Sequence, residues 1–573
     1  MDSQIRKTII LLAALALAAQ GLAMLGVARF RGSPTAYAYS SPDSAEYVAL
    51  ARGLANTGRF VPLDAAGRPL AGPDTWRTPG YPAFLAIVIR LAGDGALALL
   101  IAQQIIAAAT VPMVWSLVRR FASPRWSMLA AVAWLLDPFR LYYSLWLLAE
   151  TLFVFVLLAA VLVYVRVRER GWTLSGSLVI GLLAGALVLI RPAGLLLPVL
   201  AVLAAALDFR GHPARRRLGV AGVCDSSGGF GLQRFSEPEA QARDFCEPRQ
   251  RPLLPASLFE LRRTGALRAR IAPPKLSRTR VAAVCLVGVA ALVGPWLLRN
   301  RIVAGHWALS HQSGDNFAYR KVADVVLWSQ GRHRERFDAQ ALDEVRIAID
   351  QRLRHEWRQR FGPLTPRQEQ ALTWTRLNFG RTEGIDPFVA SSLLWKVGRQ
   401  MLAGRGRAMA ACFTVQGLKM LVFPLGLVLD PPAGQGSAPF SLLGGGQSRT
   451  AQAAAAVIGS TYAVLAVLAA WGLLSAARRR CWPGEKKGSG VFCAKHPSGR
   501  SGKRLPTPFF LLWHRRWPAH FFAVWLILAL LLPTLPFEDP RFRLPLVPFL
   551  WLLAVSRHSP EQATCERKGR DNQ

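Results

Sequence analysis

Apolar residues along this chain gather into long runs. Ile9 to Val27, Ala96 to Val118, Leu145 to Val165, Val281 to Leu298 and Ala451 to Leu474 each approach the roughly 20 residues a helix needs to cross about 30 Å of hydrocarbon. Between the runs lie polar stretches carrying arginine. Arg119, Arg120 and Arg125 follow the second span, and Arg166, Arg168 and Arg170 follow the fourth; both loops are short, so their charge assigns them to the cytoplasm. The basic connection from Arg478 to Arg516 belongs on the same side.

Counting spans between these anchors requires Gly176 to Leu207 to be a hairpin of two short helices turning at Arg191-Pro192. It also requires that Ala411 to Leu429, broken by Lys419 and Pro424, does not fully cross. The predicted fold is an all-α polytopic bundle of about ten transmembrane helices, with both termini inside and an uncleaved first helix. Residues 1–208 form an N-terminal transmembrane module whose first exported loop covers 29–82. Residues 209–280 are a basic cytoplasmic insertion with too little periodic apolar content to bury a core, expected to be disordered. A span at 281–298 leads to a second exported loop, 299–450. A span at 451–477, a second basic insertion at 478–518, a hairpin at 519–557 and a tail at 558–573 complete the chain.

Two exported segments carry helical patterning. Glu46, Tyr47, Leu50, Ala51 and Leu54 suit an amphipathic helix ending near Gly58, with Asp43 and Glu46 spaced as a capping box. Phe337, Leu342, Val345, Ile349, Leu353 and Trp357 lie on one apolar face of a second helix, expected to lie on the membrane or cap the site.

Composition agrees with a bilayer protein: 52% of the 573 residues are hydrophobic, only 18% are charged, and the mean hydropathy is +0.25. The net charge of +36 does not indicate nucleic acid, because the basic residues flank apolar helices. Apart from Cys412 in the apolar Ala411–Leu429 stretch, the exported loops carry no cysteine, so no disulfide framework is implied, and Cys481, Cys493 and His496 lack a zinc spacing.

Chemistry concentrates at one boundary. Asp43 and Glu46 in the first loop and Glu150 at the outer end of the fourth span fall on the same side of the membrane, where ionisable groups are costly and mark functional sites. For each there is a plainer alternative, a helix cap for Asp43 with Glu46 and a favourable helix N-terminal charge for Glu150. Asp137 before Pro138 reads as a helix-ending turn, and His306 and His311 as surface histidines.

The run Asp43 to Leu54 with Thr57-Gly58-Arg59-Phe60, then Thr78-Pro79-Gly80-Tyr81-Pro82-Ala83-Phe84, resembles the first exported loop of GT-C class lipid-linked-sugar glycosyltransferases. These include bacterial lipid A aminoarabinose transferases, protein O-mannosyltransferases and transferases that decorate lipopolysaccharide. Ala149 to Phe153, Gly185 to Leu195, Pro295 to Asn300 and Pro540 to Pro545 follow in family order. The resemblance implies a polyprenyl-phosphate sugar donor, an acidic base in the first exported loop and inversion at the anomeric carbon. Asp43 is then the base, with Glu46 and Glu150 positioning acceptor or sugar. Arg77, Arg191, Arg299, Arg541 and Arg543 are candidates for the departing phosphate, since the guanidinium fork suits its oxygens, and Tyr81 for packing on sugar or lipid.

No cofactor is expected beyond the lipid-linked donor and no metal-binding residues are assigned, while a divalent-metal requirement is not decided by the sequence; the partners are membrane lipid and an envelope glycan, lipid A or protein acceptor, and the location is a bacterial inner membrane with the site facing out. The rival reading is a transporter or flippase of lipid-linked intermediates, which predicts ionisable residues or broken helices deep in the bilayer. A third reading is an inactive scaffold.

Overall fold

The computed structural model describes residues 3–208, 277–332, 339–377, 384–422 and 546–555. Arg541, Arg543, residues 209–276 of the first basic insertion, the second insertion, the 451–477 span and most of the C-terminal hairpin lie outside these. Among the described residues the architecture is all-α, apart from an isolated bridge between Leu63 and Pro69.

The N-terminal part is built from α1 (Ser3–Arg31), α2 (Pro34–Ala38), α3 (Pro42–Thr57), α4 (Gly80–Ala92), α5 (Ala96–Val118), α6 (Pro124–Leu135), α7 (Pro138–Ser144), α8 (Ala149–Arg170), α9 (Leu174–Ile190) and α10 (Leu196–Asp208). After the first insertion comes α11 (Arg278–Ala304). Four of these, α1, α5, α8 and α11, contain stretches long and apolar enough to cross a bilayer, while α4, α9 and α10 are shorter apolar helices. The chain is a multi-pass membrane protein. The shortness of α9 and α10 has a local cause: Pro192 drives Arg191 out of helical geometry, to φ −148° and ψ 131°, so the helix stops at Ile190 and restarts after a 3-10 turn, Pro192–Leu195. The hairpin turning at Arg191-Pro192 is thus present.

Helix α5 is the hub, packed against α1, α6 and α8, and α8 in turn packs on α9. Trp134, Phe153, Leu99, Leu100 and Leu117 are fully buried there. In a bilayer the driving force between helices is close packing rather than escape from water, and small residues permit it. The α9–α11 contact illustrates this: a Cβ on Gly181 would stand 2.0 Å from the Cys285 carbonyl oxygen, and one on Gly185, a turn further on, 3.2 Å from the Val289 carbonyl oxygen. That seam sets the outer ends of α9 and α11 side by side.

Beyond α11 a second unit has its own core. Helix α12 (Ala339–Phe361) lays Val345, Ile349, Leu353 and Trp357 against α13 (Pro387–Leu402) and a short run with a π-helical turn, Asn316–Val322. The apolar face read from the sequence is therefore the buried one; Phe337 lies outside the described residues. Tyr319 from the π turn donates to Asp350 on α12 at 2.6 Å, and Asp350 also accepts from the Trp374 backbone N–H at 3.1 Å.

Candidate functional site

Helix α3 starts one residue before the expected cap. Ser41 is its N-cap, Pro42 occupies the first helical position, and no side chain caps it. Proline is well suited to that position because its fixed φ is already helical and its missing N–H would have no helical partner. Asp43 is thereby carried into the first turn, and the predicted Asp43–Glu46 capping box does not form. Both carboxylates turn to Arg77 instead: Nη2 lies 2.6 Å from Asp43 Oδ1 and 2.5 Å from Glu46 Oε2, and Nε donates to the same Glu46 oxygen at 2.9 Å. The helix ends at Gly58 as the sequence predicts, with φ +69°, a left-handed conformation that glycine accepts without strain.

Arg77 is 10% exposed, against 29% for Asp43 and 32% for Glu46. Burial by itself lowers the guanidinium's affinity for its proton, but Asp43, Tyr47 and Glu46 outweigh it, so Arg77 is held firmly charged. Its guanidinium also rests 5.0 Å from the Tyr47 ring centroid. Asp43 and Glu46 thus share one cation, at a place open to water on its acidic side.

The loop that presents Arg77 is shaped by Asp74, whose Oδ1 accepts from the backbone N–H groups of Trp76 at 3.0 Å and Arg77 at 2.8 Å. Burial raises the Asp74 carboxyl to about 6 in spite of those bonds. The loop is strapped from outside by Arg299, which donates to the Asp74 carbonyl at 2.5 Å and the Phe60 carbonyl at 3.3 Å and lies over Trp296 at 4.8 Å. Arg299 therefore binds the first loop's backbone in this structure. His311 adds a second strap: its backbone N–H donates to the Thr75 carbonyl at 3.3 Å, and its Nδ1 shares a 3.0 Å hydrogen bond with the Thr75 hydroxyl.

His311 corrects the expectation of a surface histidine, being only 5% exposed, and burial holds its ring down at about 4. His306 is half-exposed and pairs with Asp386 at 2.8 Å. Ser44 Oγ, Trp76 Nε1 and His311 Nε2 are buried with no protein partner among the described residues, so ordered water or a ligand hydroxyl is needed to satisfy them.

The second acidic position stands beside the first. Glu150, in the first turn of α8, is 3% exposed and pairs with Arg191 Nη1 at 2.6 Å. The two ion pairs meet through Tyr47: its hydroxyl is raised mainly by burial, and Arg77, Asp43, Glu150 and Arg191 all act on it electrostatically. The close fit of Gly80 brings the Arg77 loop to the end of α9, since a Cβ there would stand 2.6 Å from the Ile190 nitrogen. Asp43, Glu46, Glu150, Arg77 and Arg191 are thus assembled at one end of the bundle, with Arg299 strapping the loop behind them.

Tyr81 is fully buried, packs edge-on to Tyr47 at 5.0 Å and donates its hydroxyl to Gln103 Oε1 at 2.5 Å, so it packs inside the protein here. Asp137 caps α7, accepting from the Arg140 N–H at 2.9 Å, which is the turn role its sequence context predicts. Sequence reasoning passed over Tyr47, Asp74 and Gln103. The last had a visible signal: Gln103-Gln104 is an amide pair inside a run of apolar residues.

Comparison with known proteins adds an independent line. Residues 76–221 match the family model for dolichyl-phosphate-mannose-protein mannosyltransferase. This stretch holds Arg77, Glu150 and Arg191 but begins after Asp43 and Glu46. No curated protein matches. A solved structure that aligns is the crystal structure of ArnT from Cupriavidus metallidurans bound to undecaprenyl phosphate, 12% identical over 98% of this chain and 79% of that one, with a TM-score of 0.31. At that TM-score the two backbones are too far apart to transfer residue positions. Residues 76–221, which hold three of the five residues of the arginine and carboxylate cluster, are thus similar to that family of mannosyltransferases.

Proposed function

We propose that the protein moves a sugar from a polyprenyl-phosphate donor to an envelope acceptor, lipid A, polysaccharide or protein, on the extracytoplasmic face of the inner membrane, with inversion at the anomeric carbon. The observation that carries this reading is the joining of the Asp43–Arg77–Glu46 cluster to the Glu150–Arg191 pair at one end of the helix bundle. A polyprenyl tail keeps the donor in the bilayer, so its phosphate and sugar reach the ends of the helices rather than their middles.

The exposures divide the roles. Asp43 is accessible and acts as base: its carboxylate takes the proton from the acceptor O–H or N–H while the acceptor atom bonds to the anomeric carbon. The bond from that carbon to the phosphate oxygen breaks, and its electron pair leaves on polyprenyl phosphate. The carboxylates of the cluster stabilise the positive charge that builds on the sugar ring in the transition state. Glu46 keeps Arg77 fixed between the acids, while buried Glu150 holds Arg191 at the break after α9, close enough for its charge to reach Tyr47. Arg541 and Arg543 remain proposed phosphate ligands.

Asp43→Asn tests the assignment, because it keeps a hydrogen-bonding side chain of the same size and removes the base. The expected outcome is loss of transfer, at least on the order of 100-fold, with insertion and melting unchanged. It is read by mass spectrometry of envelope glycans in cells carrying wild-type, variant or no protein. A wild-type glycan profile from the variant removes Asp43 from the mechanism. The comparison with the deletion also identifies the sugar and acceptor class.

A further inference from the structure

The two halves of the site come from segments far apart in sequence, and one buried side chain reaches both. Gln103, on α5 within the membrane bundle, is 1% exposed. Its Oε1 accepts from the Tyr81 hydroxyl at 2.5 Å. Its Nε2 donates to the Ser144 carbonyl at 2.8 Å and to the Trp146 carbonyl. The neighbouring Gln104 donates to the same Ser144 carbonyl at 2.6 Å, and the Ser144 hydroxyl donates to Gln20 on α1 at 3.1 Å.

Each arm ends at the reacting groups. On one side Tyr81 packs edge-on against Tyr47, which underlies Arg77. On the other, Trp146 lies in the turn that leads within four residues to Glu150. An amide so placed in an apolar interior is costly to bury unless every polar atom finds a partner, and here oxygen and nitrogen are both engaged. An apolar residue of similar volume would fill the same space without that cost, so packing alone does not account for a glutamine.

We infer that Gln103 is a positioning residue for the transfer reaction, holding the Arg77 side and the Glu150 side of the site in register from within the membrane. The inference rests on the function proposed above. It predicts that the residue acts on the rate of the chemical step rather than on donor binding, because a misplacement of about 1 Å costs roughly 100-fold in rate while leaving most binding contacts intact.

Three variants separate the arms. Gln103→Leu loses both, Gln103→Glu keeps the acceptor for Tyr81 but loses the donors to the turn carbonyls, and Tyr81→Phe loses only the hydroxyl arm. In purified protein supplied with the polyprenyl-phosphate sugar identified from the glycan comparison, Gln103→Leu is expected to lower kcat about 100-fold. The donor KM and the affinity for undecaprenyl phosphate should stay within about threefold, and each single-arm variant should fall between. Adding Tyr81→Phe to Gln103→Leu should cost nothing more, since the two substitutions cut the same chain.

Amide hydrogen exchange supplies a readout independent of turnover: Gln103→Leu should raise exchange both at residues 75–78 and at 145–150. Exchange unchanged at either segment overturns the inference. So does a fall in kcat matched by an equal rise in donor KM, or one explained by loss of folded protein on melting. If exchange rises at both segments but wild-type protein transfers no sugar, the proposed function fails and the coupling stands.

Discussion

His311 shows how much a single buried ring depends on its surroundings. Its ordinary value is 6.5 and burial lowers it to about 4, so the folded state excludes a proton that the unfolded state accepts. The associated stability is complete above pH 6.5 and is lost as pH falls toward 4, by roughly 3.5 kcal/mol at about 1.4 kcal/mol per unit. Asp74 works in the opposite sense: raised from 3.8 to about 6, it loses stability as pH rises through that interval. The pH effects of His311 and Asp74 therefore partly cancel in the wild-type protein. Removing one exposes the other: His311→Phe should melt with less loss on acidification between pH 6.5 and 4 than wild type, measured in detergent across that range. Identical pH slopes for the two proteins would show that His311 does not carry the effect. The burial of His311 was not legible in the sequence, because a histidine in a polar segment gives no sign that Trp76 and Phe388 will enclose it.

The elements themselves follow closely from local signals. Pro42 and Gly58 bound α3, Pro192 ends α9, and the apolar stripe of α12 is the face that packs. Each depends on backbone sterics or on periodicity, which a single sequence displays. The misjudged capping box lies at the same scale, because two start signals competed within three residues and proline's prevailed. How elements meet is less legible. Gly80 reads as part of an ordinary turn, yet a Cβ there would strike backbone atoms of Leu189 and Ile190 at 2.6 to 2.8 Å. Backbone cannot rotate aside, so Gly80→Ala should destabilise the protein by about 1–3 kcal/mol and push the Arg77 loop away from Arg191. Thermal melting and transfer activity check this together; a variant that melts with wild type would mean that α4 and α9 do not approach this closely.

For the whole molecule, the basic flanks predict that the first loop and the ends of α8 and α9 bearing Glu150 and Arg191 face outward while Arg166, Arg168 and Arg170 face the cytoplasm. In a background with the native cysteines replaced by serine, Ala66→Cys should react with a membrane-impermeant maleimide in intact cells. Arg166→Cys should react only after the membrane is opened, and the reverse pattern would invert the topology. The transporter reading predicts ionisable residues or broken helices deep in the bilayer; among the described residues the carboxylates and arginines of the site gather where α3, α8 and α9 begin or end, beside the break between α9 and α10.

Which segments become helices, where several of them stop, and which charges share a side were readable from the chain, because burying a backbone or an ion in hydrocarbon is penalised wherever it occurs and shapes sequence locally. Which arginine holds which carboxylate was not. Arg77 lies 34 residues from Asp43, and Gln103 lies 43 from Trp146. Hydrogen bonds over such separations exist only once α4 has docked on α9 and α5 on α8. That docking is set by side-chain volume and glycine contacts between helices, and the pairings at the site are its consequence.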